Sequence, residues 1–378
     1  MDLSFTEEQR LLAESVARFL EKEYAFEHRR AVASADPGFS RESWAQFAEL
    51  GWLGIGTPED QGGLGGGAVE HMIVMEGCGR HLVVEPYLST VILGGGLLRR
   101  GGGSKTALLA DLASGKLLLA LAHGERKSRF DLAHVETSAE KSGKGFKLTG
   151  HKAVAFHAQL ADRIIVSART SGKTTDSTGI TLFLVPRDAK GVTLLPYRTV
   201  DGLRAADVRL DGVTVEASAV LGAVDAGHDL VVAAVDEALV ALSAEAVGAM
   251  AALFAQTREY LKTRKQFGVP IGSFQVLQHR LVDMFMALEL ARSTTEAAAR
   301  ALGDGDADYG RASAAAAKVQ AGRQGRLVGQ EAVQLHGGMG MTDELPIGHY
   351  FKRLTAIDTS FGNADWHQRR FAGLTAAS

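Results

Sequence analysis

Two changes of residue rhythm, near Lys116 and near Gly222, constrain the fold more than any other feature of this chain. Before the first, apolar residues recur every third or fourth position. Phe5, Leu11, Leu12, Val16, Phe19 and Leu20 set the pattern, and Thr6 ahead of a Glu-rich turn is a helix start. Ser40–Leu50, Val69–Gly79, Ser89–Arg100 and Lys105–Ser114 continue in helical period. Between Lys116 and Gly222 the runs shorten and become β-rich: LLLALAHG, GFKLTGHKAVAF, ADRIIVSART, GITLFLVPRD, GVTLLPYRTV and VRLDGVTV, parted by Gly, Ser, Thr and Asp. After Gly222 long helices return: Leu230–Gln256, Phe274 to about Ala301, and Ala312–Leu335. The order predicts an α+β chain with an N-terminal helical domain (1–115), a small central barrel or sandwich (116–224) and a C-terminal four-helix bundle (225–378).

At 378 residues the chain exceeds what one core usually serves. Its 41 basic and 44 acidic residues give a net charge of −3, so no whole-chain basic field recruits nucleic acid. Cys78 is the single cysteine, which excludes an internal disulfide and a cysteine-based metal cluster and fits a reducing, cytoplasmic setting. The first twenty residues mix acids and bases rather than forming an apolar signal. No run of eighteen uncharged apolar residues predicts a membrane span.

Two motifs carry more polar or backbone freedom than their local structure needs. The first, YLKTRKQFGVPIGSFQVLQHRLVDMF (260–285), reads as helix, turn, helix. Arg264 and Lys265 at a helix end complement the carbonyl dipole, and Phe267, Gly268 and Pro270 make a stop. That reading leaves Gln275, Gln278 and His279 on the next helical turn without a task. The alternative is docking of a polar ligand, with Arg264 suited to a diphosphate. The second, VQLHGGMGMTDELPIGHYFKR (333–353), places Gly337, Gly338 and Gly340 after a helix. A helix cap uses one glycine, and three permit close approach of backbone to a ligand. No strand precedes them, so this is not a dinucleotide fingerprint.

These two motifs, in a helical–β–helical order spanning the whole chain, resemble the acyl-CoA dehydrogenase family, and more closely the smaller-subunit type of bacterial heteromeric enzymes acting on dicarboxylyl- or steroid-side-chain CoA esters. The resemblance implies FAD as cofactor, an acyl-CoA as substrate, α,β-dehydrogenation as reaction and an electron-acceptor flavoprotein as partner. It also implies assembly with a like or a second acyl-CoA dehydrogenase subunit. It assigns Arg264 to the FAD pyrophosphate, Phe267 and Gln275 to the adenosine portion, and Gln334 and Gly338 to the same site, reaching an FAD held mainly by a neighbouring subunit. A carboxylate would take the α-proton as the β-hydride passes to flavin.

The chain also departs from the family. The usual Thr-Glu-Pro-Gly-x-Gly-Ser-Asp loop reads AHGERKSRFD (122–131). Val154 and Phe156 stand where a Trp and a Thr usually meet the flavin ring. Phe361, in SFGN (360–363), stands where many members keep the catalytic glutamate. Other members carry the base on the first bundle helix, where Ala238 falls here. Glu245 lies seven residues on, on nearly the same face, among small apolar neighbours. Burial there would make it a base, or it pairs with an Arg across the bundle; both readings stay open. Glu237, beside Asp236, is expected on a solvated turn. His336 is expected to bond backbone, and the ERKSR run (125–129) to be either a solvated loop or a contact for CoA phosphates. Three functions follow: a self-sufficient flavoenzyme with Glu245 as base, an FAD-clamping subunit with little activity alone, or a non-flavin interaction protein that keeps the fold.

Overall fold

The computed structural model describes residues 4–376. The N-terminal helices are α1 (Glu7–Glu23), α2 (Phe26–Ser34), α3 (Arg41–Glu49), α4 (Ala68–His81), α5 (Gly96–Gly101) and α6 (Leu108–Ala113). Thr6 caps α1 through a box with Gln9, each accepting from the other's backbone N–H. The expected helix at Ser89–Arg100 divides in two: Leu88–Gly95 is a π-helix buried from Ser89 onward, and only the following turn is α-helical.

The β strands are β1 (Leu119–Ala122), β2 (Ser138–Ser142), β3 (Gly145–Phe156), β4 (Arg163–Arg169), β5 (Ile180–Pro186), β6 (Val192–Arg198), β7 (Arg204–Glu216) and β8 (Val220–Leu221). They form one eight-stranded sheet in the order β6-β7-β3-β2-β4-β5-β8, with β1 parallel to β4. β4 and β5 are buried along nearly their whole length, which is why their sequences read as continuous apolar runs. Phe146, Leu148, Ile164, Val166, Phe183 and Val208 centre this core.

The C-terminal helices are α7 (Gly227–Thr263), α8 (Gln275–Ala301), α9 (Ala307–His336), α10 (Ile347–Thr359) and α11 (Ala364–Ala376). Among the described residues α7 is the one helix long and apolar enough to cross a membrane, and 89% of its most apolar window is buried inside the protein.

By packing, the chain forms two compact units: residues 1–31, 68–83 and 239–378 in one, 32–67 and 84–238 in the other. In the first, α4 and α7 cross with backbones in contact. A side chain at Gly79 would collide with the Glu245 carbonyl, and one at Gly248 with the Glu76 carbonyl. These glycines exist for helix approach.

Candidate functional site

The helical corner is built where α7 ends. Arg264 follows the last turn, and its carbonyl accepts the Ile271 N–H at 2.8 Å, closing a loop between the two-residue strands Lys265–Gln266 and Val269–Pro270. Phe267 sits at the tip with φ +55°, a conformation rarely adopted by a bulky residue, and its ring is 91% exposed. It meets Phe274 edge-on, with centroids 6.2 Å apart. Among the described residues Arg264 pairs with no carboxylate, whereas nearby Lys262 and Arg258 both reach Glu259. Gln275 is exposed on the first turn of α8. Gln278 is less available, because its amide nitrogen donates to the Gly272 carbonyl at 2.8 Å.

The glycine stretch is fastened beside this corner. His336 at the end of α9 stacks on Tyr260 of α7, with centroids 4.4 Å apart, and the Tyr260 hydroxyl donates to the His336 carbonyl at 3.4 Å. The His336 ring nitrogen Nδ1 lies 2.8 Å from the Ala332 carbonyl. Burial lowers the imidazole pKa, so the ring stays neutral as a staple. Gln334 and Gly338 lie on either side of His336 and both are exposed. A Cβ at Gly338 would meet nothing within 4 Å, so the space before it is open, whereas one at Gly340 would come within 2.8 Å of the Val333 carbonyl oxygen. Arg264, Phe267, Gln275, Gln334 and Gly338 therefore come from two motifs joined by one ring stack. This donor set, with an unpaired guanidinium and an open backbone stretch, fits the phosphates and adenosine of FAD.

The candidate base has the opposite character. Glu245 is 3% exposed, and its two oxygens each accept from Arg353 of α10, at 2.6 Å from Nε and 2.6 Å from Nη2. Arg353 is itself buried. A carboxylate gripped in a fork by a buried guanidinium has both oxygens engaged in holding two helices together. Of the two readings left open for Glu245, the structure shows the pairing with an arginine across the bundle: it is half of an interhelical ion pair. The expectation for Glu237 is corrected. Far from solvated, it is held by Arg99 at 3.2 Å and by Arg100, and Asp236 beside it is buried. Ala238 is fully buried and carries no functional group.

The loop at 122–131 is built into its own unit. Glu125 accepts from Lys152 Nζ at 2.7 Å, from Thr137 Oγ1 at 2.6 Å, and from the Glu136 and Thr137 N–H groups at 2.6 and 3.0 Å. Burial would raise its pKa, but the Lys152 charge and these donors outweigh that and bring it to about 2. Lys152, fully buried, also reaches Ser167 Oγ at 3.1 Å and is pushed down to about 8 by burial against the pull of Glu125. Within the run 125–129, Glu125 is thus a buried latch, while Arg126 and Lys127 are exposed, as a solvated loop would have them, beside Asp207 and Glu136. Val154 sits at a bulge of β3 with φ +55°, half exposed, its N–H donating to Asp207 Oδ1 at 3.3 Å.

Phe361 also has φ +55°, in the turn between α10 and α11. Two buried side chains brace that turn, and sequence reasoning passed over both. Lys318 Nζ donates to the Asp358 and Gly362 carbonyls at 2.8 and 2.6 Å, and His367 Nε2 lies 3.0 Å from the Phe361 carbonyl. Burial, partly offset by Asp358, lowers Lys318 to about 8. Burial and the Lys318 charge lower His367 to about 3. The one cue in the sequence is a lysine in the midst of AAAAKVQAG, on an otherwise small, apolar helix face.

The three family models of the acyl-CoA dehydrogenase N-terminal, middle and C-terminal domains match residues 6–116, 120–213 and 225–372. The chain belongs to the acyl-CoA dehydrogenase family, whose reaction is the FAD-dependent dehydrogenation of an acyl-CoA. It is 31% identical over 373 residues to the probable acyl-CoA dehydrogenase YngJ of Bacillus subtilis (strain 168), covering 97% of each chain. Among solved structures it is similar to the ChsE4–ChsE5 complex from Mycobacterium tuberculosis, at 29% identity and TM-score 0.89 over the full length of both chains. It is also similar to a variant of the Tcur3481–Tcur3483 steroid ACAD, at 30% identity and TM-score 0.88 over 98% of both chains.

Proposed function

We propose that this chain is one subunit of a heteromeric acyl-CoA dehydrogenase, in which it closes the FAD site while a second polypeptide supplies the flavin-ring pocket and the base. Arg264 would take the pyrophosphate. Phe267 and Gln275 would cover the adenosine portion, with Gln334 and the open backbone at Gly338 beside them. When bound, FAD supplies the hydride acceptor of the dehydrogenation; the residues named here bind and orient it. Reoxidation by an electron-acceptor flavoprotein and a cytoplasmic location belong to the same reading. The exposed apolar side chains of α8 (Val276, Val282, Phe285, Met286 and Leu290) extend from the corner and suit a subunit contact.

The observation that carries this reading is a contrast of pairing. The groups assigned to FAD are exposed, and among the described residues Arg264 pairs with no carboxylate. Of the three places considered for a base, Glu245 is locked to Arg353, residue 238 is an alanine and residue 361 is a phenylalanine. The likeness to the ChsE4–ChsE5 complex supports the two-polypeptide form. The test is copurification with the partner that the host supplies. FAD retained and acyl-CoA dehydrogenated only by the pair upholds the proposal. One FAD per chain with full activity in the isolated protein would favour the self-sufficient enzyme instead.

A further inference from the structure

A cavity lies in the unit formed by residues 32–67 and 84–238, and none of its walls comes from the hairpin, the glycine stretch or the 360–363 turn. Its volume is about 570 Å³, within the roughly 300–1,000 Å³ typical of small-molecule sites. The lining combines apolar side chains of the sheet and of α6 (Leu108, Leu184, Pro186, Val215) with a few polar groups. Arg163, the first residue of β4, lines it between the strand partners Leu119 and Pro186. Arg163 is half-buried, and among the described residues its guanidinium has neither a carboxylate nor a hydrogen-bond acceptor. Lys105 stands on the rim, with one of its three donors given to the Val220 carbonyl at 2.7 Å. Glu216 also lines the cavity but makes no ion pair with Arg163 or Lys105 among the described residues. The lining therefore carries a net single positive charge above an apolar floor.

A partly desolvated guanidinium without a counter-ion is unfavourable, and it becomes favourable when an anion occupies its fork. Apolar walls beside it select a ligand with a hydrocarbon tail. We infer that this cavity binds an amphipathic monocarboxylate, its head on Arg163 and its alkyl chain between α6 and the sheet. A planar carboxylate matches the guanidinium bidentately.

The probe is octanoate, titrated calorimetrically into the full chain together with whatever partner it copurifies with. A saturating non-reactive acyl-CoA blocks any binding at the dehydrogenase site. Arg163→Gln is expected to weaken octanoate about tenfold or more, the usual effect of losing a charge-assisted pair. Ala219→Trp, which fills the cavity and leaves Arg163 in place, is expected to abolish binding. Octylamine is expected not to bind, and octyl phosphate to bind more weakly than octanoate. The inference is overturned if octanoate fails to bind the wild-type protein at millimolar concentration, or binds both variants unchanged, or is matched by octylamine. Octyl phosphate binding more tightly would reassign the site to a phosphate head group. Should Arg163→Gln not fold, Ala219→Trp decides alone. Acyl-CoA dehydrogenation by the assembly is expected to persist in both variants, so failure of this site is distinguishable from failure of the proposed function.

Discussion

The corner around Arg264 and the seam around Glu245 are built from the same kinds of residue and end in opposite states. At the corner the charged and amide groups are exposed, and Phe267 is held outward in a strained conformation. At the seam every oxygen of Glu245 is used by Arg353, and the helices approach through Gly79 and Gly248. Charge type alone does not mark a site. What distinguishes them is whether the chain has already satisfied its own groups. Where it has, the group holds the fold; where it has not, the exposed group is left to solvent and is free to meet a partner or ligand.

The largest effect that could break this contrast is at the seam. Arg353→Leu leaves Glu245 buried and unpaired, and unfolding by denaturant should show a loss of about 3–5 kcal/mol. Replacing both residues by Leu should recover most of it. A single variant as stable as wild type would mean that Glu245 is solvated and again available as a base.

At the corner the same type of change should leave stability within about 0.5 kcal/mol, because Arg264 supports nothing in the chain. Arg264→Gln should instead weaken FAD retention by the assembled enzyme about 10–100-fold, read by flavin fluorescence on dilution. Lost stability with unchanged FAD binding would reverse the assignment.

A smaller, pH-dependent difference sharpens the point at the 360–363 turn. Lys318 titrates at about 8 in the folded chain and near about 10.4 unfolded. Between those values the unfolded state holds the extra proton, so this lysine makes stability rise with pH, by roughly 1 kcal/mol per unit. Lys318→Met should lose that slope between pH 8 and 10 relative to wild type. An unchanged slope would mean the ammonium is solvated.

The smallest effect is at the staple. Tyr260→Phe keeps the stack on His336 and removes one long hydrogen bond, a change of about 0.5–1 kcal/mol in stability. Tyr260→Ala should move FAD retention as well, because it frees the glycine stretch from the corner.

The domain order was legible because helical and strand periods differ and change abruptly near Lys116 and Gly222. The corner drew notice in the sequence because it held polar residues that no turn needs, and the structure leaves Arg264 and Gln275 exposed there. Glu245 shows what a sequence cannot carry: its partner Arg353 is 108 positions away, on a helix whose register is set by packing. The same holds for Glu237, whose arginines come from the N-terminal helices, and for the latch of Glu125 on Lys152. The π-helical turn at Leu88–Gly95 is hidden for another reason, since a π and an α turn share nearly the same apolar pattern.

Counting flavin is the most direct measurement. The chain purified alone and the chain purified with its partner are compared for FAD per polypeptide and for turnover of acyl-CoA. Little flavin and little turnover are expected alone, with both appearing in the complex and flavin retention falling when Arg264 is replaced. Stoichiometric FAD and full activity in the isolated chain, indifferent to Arg264, would contradict it.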